Sequence, residues 1–290
     1  MRQIRCVQKA EAILGEGPAW DESSGRLYWF DIKRRRLHWH APQSGANGVY
    51  ELAVRASVAT PRRMGGLLIV AEDGISQFDP GTGAMKLIEP VEPLDPGFRS
   101  NDGKIDVAGR LWWSVMDDDG GKRPGYLYRK DPGHNSARME GGIHIANTTS
   151  CSPDGRTYYL ADSARQTIYA YALDPETGAL GERRVFAQTR GEAGSPDGSA
   201  VDVEGYLWNA QWGGWRIVRY APDGRIDRIV DTPVEQPSSC CFGGPDLATL
   251  YVTTARESLS DEALARQPLA GSLLAFEPGV RGLSLPAFDG

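Results

Sequence analysis

The chain has 290 residues, of which 35 are Gly and 19 are Pro, a load that excludes a mostly helical protein because each weakens helix interiors. Hydrophobic residues make up 40% of it, enough for a sizeable core. Lys plus Arg (32) against Asp plus Glu (38) leaves −6 at pH 7, so nucleic acid is not an expected partner.

Met1 to Val7 carries no apolar stretch of signal-peptide length, and no apolar run is long enough to span a bilayer. A cytoplasmic protein without a membrane partner is expected. From about Ile4 the chain reads as a strand, and from there one pattern recurs: an apolar stretch, a Gly turn, an aromatic-rich strand, a polar turn and another strand. The anchors, in order, are Gly25-Arg26-Leu27-Tyr28-Trp29-Phe30, Gly66-Leu67-Leu68-Ile69-Val70 and Gly109-Arg110-Leu111-Trp112-Trp113-Ser114. Then come Gly155-Arg156-Thr157-Tyr158-Tyr159-Leu160, Gly205-Tyr206-Leu207-Trp208-Asn209-Ala210 and Ala248-Thr249-Leu250-Tyr251-Val252-Thr253.

Steps of 41 to 50 residues separate these anchors, near the period of a four-stranded propeller blade. Third strands such as Thr167 to Tyr171 and turns such as Asp174-Pro175-Glu176-Thr177-Gly178 fall between them. The expected fold is an all-β, six-bladed β-propeller formed by residues 1–290 as one domain, with the N-terminal strand completing the last blade. A short helical turn is expected at Asp261 to Arg266, capped by Ser260. His38 and His40 read as surface residues of an outer strand, and Trp112, Trp113, Trp208, Trp212 and Trp215 as packing between blades, with Trp212 able to border a pocket. Cys6, Cys151, Cys240 and Cys241 lack paired spacing and read as reduced thiols. The basic run Lys33 to Arg36 reads as a solvated strand edge.

In a propeller the innermost strand of each blade lines the central channel, so residues at one offset from each turn lie on one ring. Eight residues before Gly109, Gly155 and Gly205 stand Asn101, Asn147 and Asp197, and nine before Gly25 stands Glu16. All four carry oxygen donors. The last blade offers Cys240 at the matching place and the second blade the region of Ser57 and Val58. Glu16, Asn147 and Asp197 together supply two carboxylates and an amide carbonyl, a hard set suited to Ca²⁺, Mg²⁺ or Mn²⁺ and acceptable to Zn²⁺. Two carboxylates on a narrow axis repel unless a cation lies between them. The competing reading is a set of ordinary turn residues.

Four motifs carry a family pattern: Leu14-Gly15-Glu16-Gly17-Pro18-Ala19-Trp20, Arg99-Ser100-Asn101-Asp102-Gly103-Lys104, Ser195-Pro196-Asp197-Gly198 and Cys240-Cys241-Phe242-Gly243-Gly244. With Tyr251 to Arg256 and Arg266 to Gly271, the sequence resembles the regucalcin (senescence marker protein) and gluconolactonase family along nearly its whole length. The resemblance implies a six-bladed propeller, one divalent cation held by Glu16, Asn147 and Asp197, and substrate contacts from Arg99 and Asn101. It also implies hydrolysis of a small-molecule sugar lactone. Family members often have Gly after the metal asparagine, where this chain has Thr148, so a narrowed pocket is expected there.

On that chemistry Asp197 is the expected general base as well as a ligand, and Asp119, from the run Asp117 to Asp119 at the channel mouth, an expected substrate contact. A monomer or weak homo-oligomer is expected. The alternatives are an esterase or phosphotriesterase on the same scaffold, which needs a more apolar mouth, and a calcium-binding regulatory propeller without catalysis. Without a GxSxG elbow, a serine hydrolase is disfavoured.

Overall fold

A computed structural model describes residues 3–91, 96–189 and 194–290. They form six four-stranded antiparallel sheets, spanning 15–51, 56–90, 98–143, 146–188, 195–231 and 237–276, the last completed by Arg5–Gln8. Each sheet is one blade of a six-bladed β-propeller, as the turn spacing predicts. Arg5–Gln8 pairs with Leu273–Phe276, so the first strand closes the ring against the last stretch of sheet. Such closure joins distant parts of the chain and ties the last blade to the start of the first.

The turns show why the sequence repeats. In blade three the Asp106 carboxylate accepts from the amides of Ala108 and Arg110, then from Arg110 Nε and from Trp112 Nε1 at 2.8 Å. In blade five Asp202 does the same for Glu204, Tyr206, Arg219 and Trp208 Nε1. One aspartate thus folds the turn and fixes the indole that packs between blades. Trp112 lies 4.4 Å from Tyr158 of the next blade, and Trp208 packs on Phe242 and Phe276. Trp29, Trp112, Trp113 and Trp208 are fully buried, and burying each aromatic contributes about 3 kcal/mol or more.

Two expectations change. Trp215 sits at a turn with φ +56° and is exposed, because blade packing ends before it. His38 and His40 are buried: the rings of His38 and Trp29 stack at 4.2 Å, and His40 Nδ1 lies 2.9 Å from Asn47 Oδ1. A third strand in a propeller is covered by the neighbouring blade, which turns an outer position into an interior one. The helical turn Asp261–Arg266 is present, with Ser260 Oγ accepting from the Ala263 amide. All four cysteines are free thiols. Among the described residues no helix is long and apolar enough to cross a membrane.

The inner strands are Gly15–Asp21, Ala56–Pro61, Phe98–Ile105, Ala146–Cys151, Ser195–Val201 and Pro237–Gly243. Each breaks register once, at Glu16/Ala19, Ala56/Val58, Ser100/Gly103, Asn147/Ser150, Pro196/Ser199 and Pro237/Ser239. A bulge leaves residues out of the ladder and re-aims their side chains. In blade one the bulge holds Gly17 at φ +56°, where a Cβ would collide with the Ser57 carbonyl oxygen, so only Gly fits. In blade six the bulge falls at Ser238, two residues before Cys240. Cys240 is fully buried and its thiol donates to the Trp208 carbonyl. The ring position in that blade therefore belongs to Ser238, because five paired residues follow its bulge.

Candidate functional site

At the bulges Glu16, Asn101, Asn147 and Asp197 come to the axis from blades one, three, four and five, all buried. A continuous hydrogen-bond chain orders the neutral members. Arg99 Nη1 donates to Asn101 Oδ1 at 2.7 Å, and Asn101 Nδ2 donates to Asn147 Oδ1 at 2.9 Å and to the Ala146 carbonyl at 3.0 Å. Asn147 Nδ2 donates to Ser163 Oγ at 2.9 Å, and Ser163 passes its own proton to the Pro196 carbonyl. Each amide therefore has one orientation, with the Asn147 carbonyl oxygen on the Asn101 side. Both amide hydrogens of Asn101 are spent, so it links Arg99 to Asn147 and keeps only an Oδ1 lone pair for a ligand.

The carboxylates are strained electrostatically. Burial pushes Glu16 up to about 8, the charge of Asp102 adding to it, while the Gly17 amide and Arg99 pull the other way. Asp197 is raised well above the carboxylate range, by burial first and then by Glu16 and Asp102. Among the described residues no side chain donates to the Asp197 carboxylate. Asp102, which the sequence pattern did not single out, is the third axial carboxylate: its Oδ2 accepts from the amide and the hydroxyl of Thr149, both at 2.9 Å. Buried charge of one sign calls for a cation. Among the described residues no three His, Cys, Asp or Glu side chains form a metal-ligating group; the donor set is two carboxylates and one amide. Its all-oxygen chemistry and the raised carboxylates fit a hard divalent ion.

Thr148 does not narrow the opening. It occupies the blade-four bulge at φ +61°, in the left-handed region where a β-branched residue is strained by about 1–3 kcal/mol. Fully buried, its hydroxyl donates to the Asp197 carbonyl at 2.6 Å and lies 3.1 Å from Asn209 Nδ2. Asn209 Nδ2 also donates to the Asp197 carbonyl and to Ser199 Oγ, both at 2.9 Å. The strained threonine thus pins the backbone under Asp197.

At the mouth Arg99 Nε donates to Asp118 Oδ1 at 2.6 Å, and Asp118 also receives Lys33 at 2.9 Å and Arg55 at 2.8 Å. These cations hold the Asp118 carboxyl down at about 2 against its partial burial. Asp119, the expected contact, is 74% exposed and pairs with Lys122. The strand Leu111–Asp117 ends just before this loop, so which aspartate turns inward was not fixed by its period. Lys33, read from sequence as a solvated edge, and Arg55 converge here from other blades. Among the described residues Arg99 Nη2 has no protein partner. Trp212, half-buried, packs against the cluster that contains Leu14, Ala56 and Ala255, and so leans over the mouth toward blades one and two.

Residues 14–256 match the family described as the SMP-30/Gluconolactonase/LRE-like region. The chain belongs to this family. The SMP-30/gluconolactonase relatives include a 6-deoxy-6-sulfogluconolactonase of Pseudomonas putida, 35% identical over 99% of both chains. A pentonolactonase of Haloferax volcanii is 38% identical over 83% of this chain and 81% of its own. Among solved structures, a calcium-binding regucalcin from Agrobacterium tumefaciens superposes with a TM-score of 0.94 at 33% identity, covering 99% of this chain and 97% of that one.

Proposed function

We infer that the chain hydrolyses sugar lactones, aldono-1,4- or 1,5-lactones such as glucono-, xylono- or arabinonolactone, to aldonic acids, with one divalent cation held by Glu16, Asn147 and Asp197. One observation carries this reading: two buried carboxylates with raised affinity for protons and one locked amide meet on the axis, beside an arginine with a free donor. The lactonase names of two full-length or nearly full-length relatives support it, and the regucalcin described as calcium-binding supports the cation.

A cation bound there supplies Lewis-acid polarisation of the lactone carbonyl and offsets the buried negative charge. The chain's own residues do the rest. Arg99 offers Nη2 to a lactone oxygen or sugar hydroxyl, its guanidinium held in plane by Asp118, Asn101 and the Ser100 carbonyl. Asp197 accepts the proton of the attacking water as the new C–O bond forms. The ring C–O bond then breaks, and that proton is returned to the departing ring oxygen, which becomes the hydroxyl of the acid. Thr148 and Asn209 keep Asp197 in place through its backbone, and Ser163 keeps Asn147 in place through its amide.

The test is acid release from a panel of five- and six-carbon aldonolactones, using protein stripped by chelator and restored with single cations. At least one lactone opens faster with cation than without. If none does, the enzyme reading falls.

A further inference from the structure

Beyond the bulges the same channel widens into a cavity of about 410 Å³, lined by the C-terminal halves of all six inner strands. Residues 283–287 cross this end as a strap. The strap is anchored on both sides: the Gly282 amide donates to the Leu247 carbonyl at 2.9 Å, the Phe288 amide to the Pro61 carbonyl at 2.8 Å, and Arg63 pairs with Asp289 at 2.7 Å. Most of the wall is apolar, with Trp20, Ile105, Phe242 and Leu285 in it, and the charged groups at its rim are already engaged: Asp21 accepts from Ser23 and Ser24, Glu22 from Ser284, Arg63 pairs with Asp289 and Arg62 donates to the Gly290 carbonyl.

Two polar groups in this cavity lack a matching partner. Among the described residues the Lys104 ammonium has no carboxylate in ion-pair range, and its one hydrogen bond goes to the Ser199 carbonyl. The Thr60 hydroxyl, in a side chain only 2% exposed, has no hydrogen-bond partner among the described residues. A half-buried ammonium without a counter-ion costs free energy unless an anion or water reaches it. The volume lies within the range of small-molecule sites, and apolar walls with one or two convergent polar groups are their usual lining.

We propose that this strap-closed end of the channel is a second binding site, taking a small amphipathic monocarboxylate whose carboxylate pairs with Lys104 and whose hydrocarbon part fills the apolar walls. The site is separate from the carboxylate ring, whose negative charge repels such an acid. Its apolar lining also selects against polyhydroxylated sugar acids, which would leave their hydroxyls unpaired.

Octanoate and octan-1-ol, titrated by calorimetry into the full chain, provide the test. Octanoate binds at one site, Lys104→Met weakens it by about tenfold or more, and octan-1-ol binds the two proteins alike. The variant retains lactone hydrolysis, and an aldonolactone does not displace octanoate. Absence of octanoate binding at millimolar concentration overturns the proposal, as does equal affinity in Lys104→Met. Displacement by aldonolactone, or loss of hydrolysis in the variant, overturns it too by assigning Lys104 to the catalytic end. Because the readout is octanoate, a failed lactonase reading leaves this test standing.

Discussion

The two ends of the channel are built from the same six strands, yet one end gathers carboxylates, amides and a guanidinium around a hydrogen-bond chain, while the other is mostly apolar and holds an ammonium with no carboxylate partner among the described residues. What divides them is the bulge in each strand. At it, side chains are re-aimed to the axis and carry oxygen donors; after it, the ladder resumes with residues such as Ala19, Ala59 and Ala200 facing the cavity. A single added residue per strand therefore separates a polar, preorganised site from a mostly apolar space.

Replacing Asp197 by Asn breaks the polar end most severely. It keeps the shape while removing a carboxylate and the base, and kcat should fall by about 10³-fold, read by acid release in a pH-stat. Asp118→Asn comes next: with Arg99, Lys33 and Arg55 no longer gathered, KM should rise by about tenfold while kcat changes less. Asp119→Asn is the matched control, exposed and tied only to Lys122, and should alter neither constant by more than about twofold.

Thr148 sharpens the comparison further, since it lies beneath the ring. Thr148→Gly relieves the left-handed strain but drops the hydroxyl that holds the Asp197 carbonyl; stability should stay within about 1 kcal/mol while kcat falls by about tenfold. Thr148→Ser keeps the hydroxyl and should restore kcat. A parallel calorimetric titration with Mn²⁺ should show weaker binding for the glycine variant alone. A role confined to packing would change the melting temperature and leave both affinity and kcat as they are.

A last effect, on stability alone, belongs to neither end. Burial lowers His38 to about 4, whereas an unfolded histidine titrates near 6.5. Its folded-state pKa is depressed, so the unfolded chain takes up a proton first as pH falls. Stability is full above about 6.5 and is lost between 6.5 and 4, by about 1–2 kcal/mol at pH 5. Urea midpoints at pH 7 and pH 5 should differ less in His38→Phe, which keeps the stack on Trp29 without a titrating group.

The blades were legible because their punctuation is covalent: positive φ at Gly25, Gly109, Gly155 and Gly205 marks each turn, and the aspartate three residues before Gly109 and Gly205 folds it. The axial oxygen donors were legible because position on the ring follows from counting back to the bulge. Asp118 was not, since its direction depends on where a strand ends, nor were Lys33 and Arg55, which meet only in three dimensions. Ser238 was hidden behind Cys240 because blade six continues its pairing longer after the bulge. Thr148 stood out by sequence, but only its buried hydroxyl's bond to the Asp197 carbonyl shows that the side chain turns away from the opening.

The most direct measurement counts cations and turnover on one sample. Chelator-stripped protein titrated with Mn²⁺ should bind one equivalent, with aldonolactone hydrolysis rising in proportion to occupancy, and Glu16→Gln should lose both together. Full hydrolysis by the stripped protein, or unchanged binding in Glu16→Gln, would contradict the account.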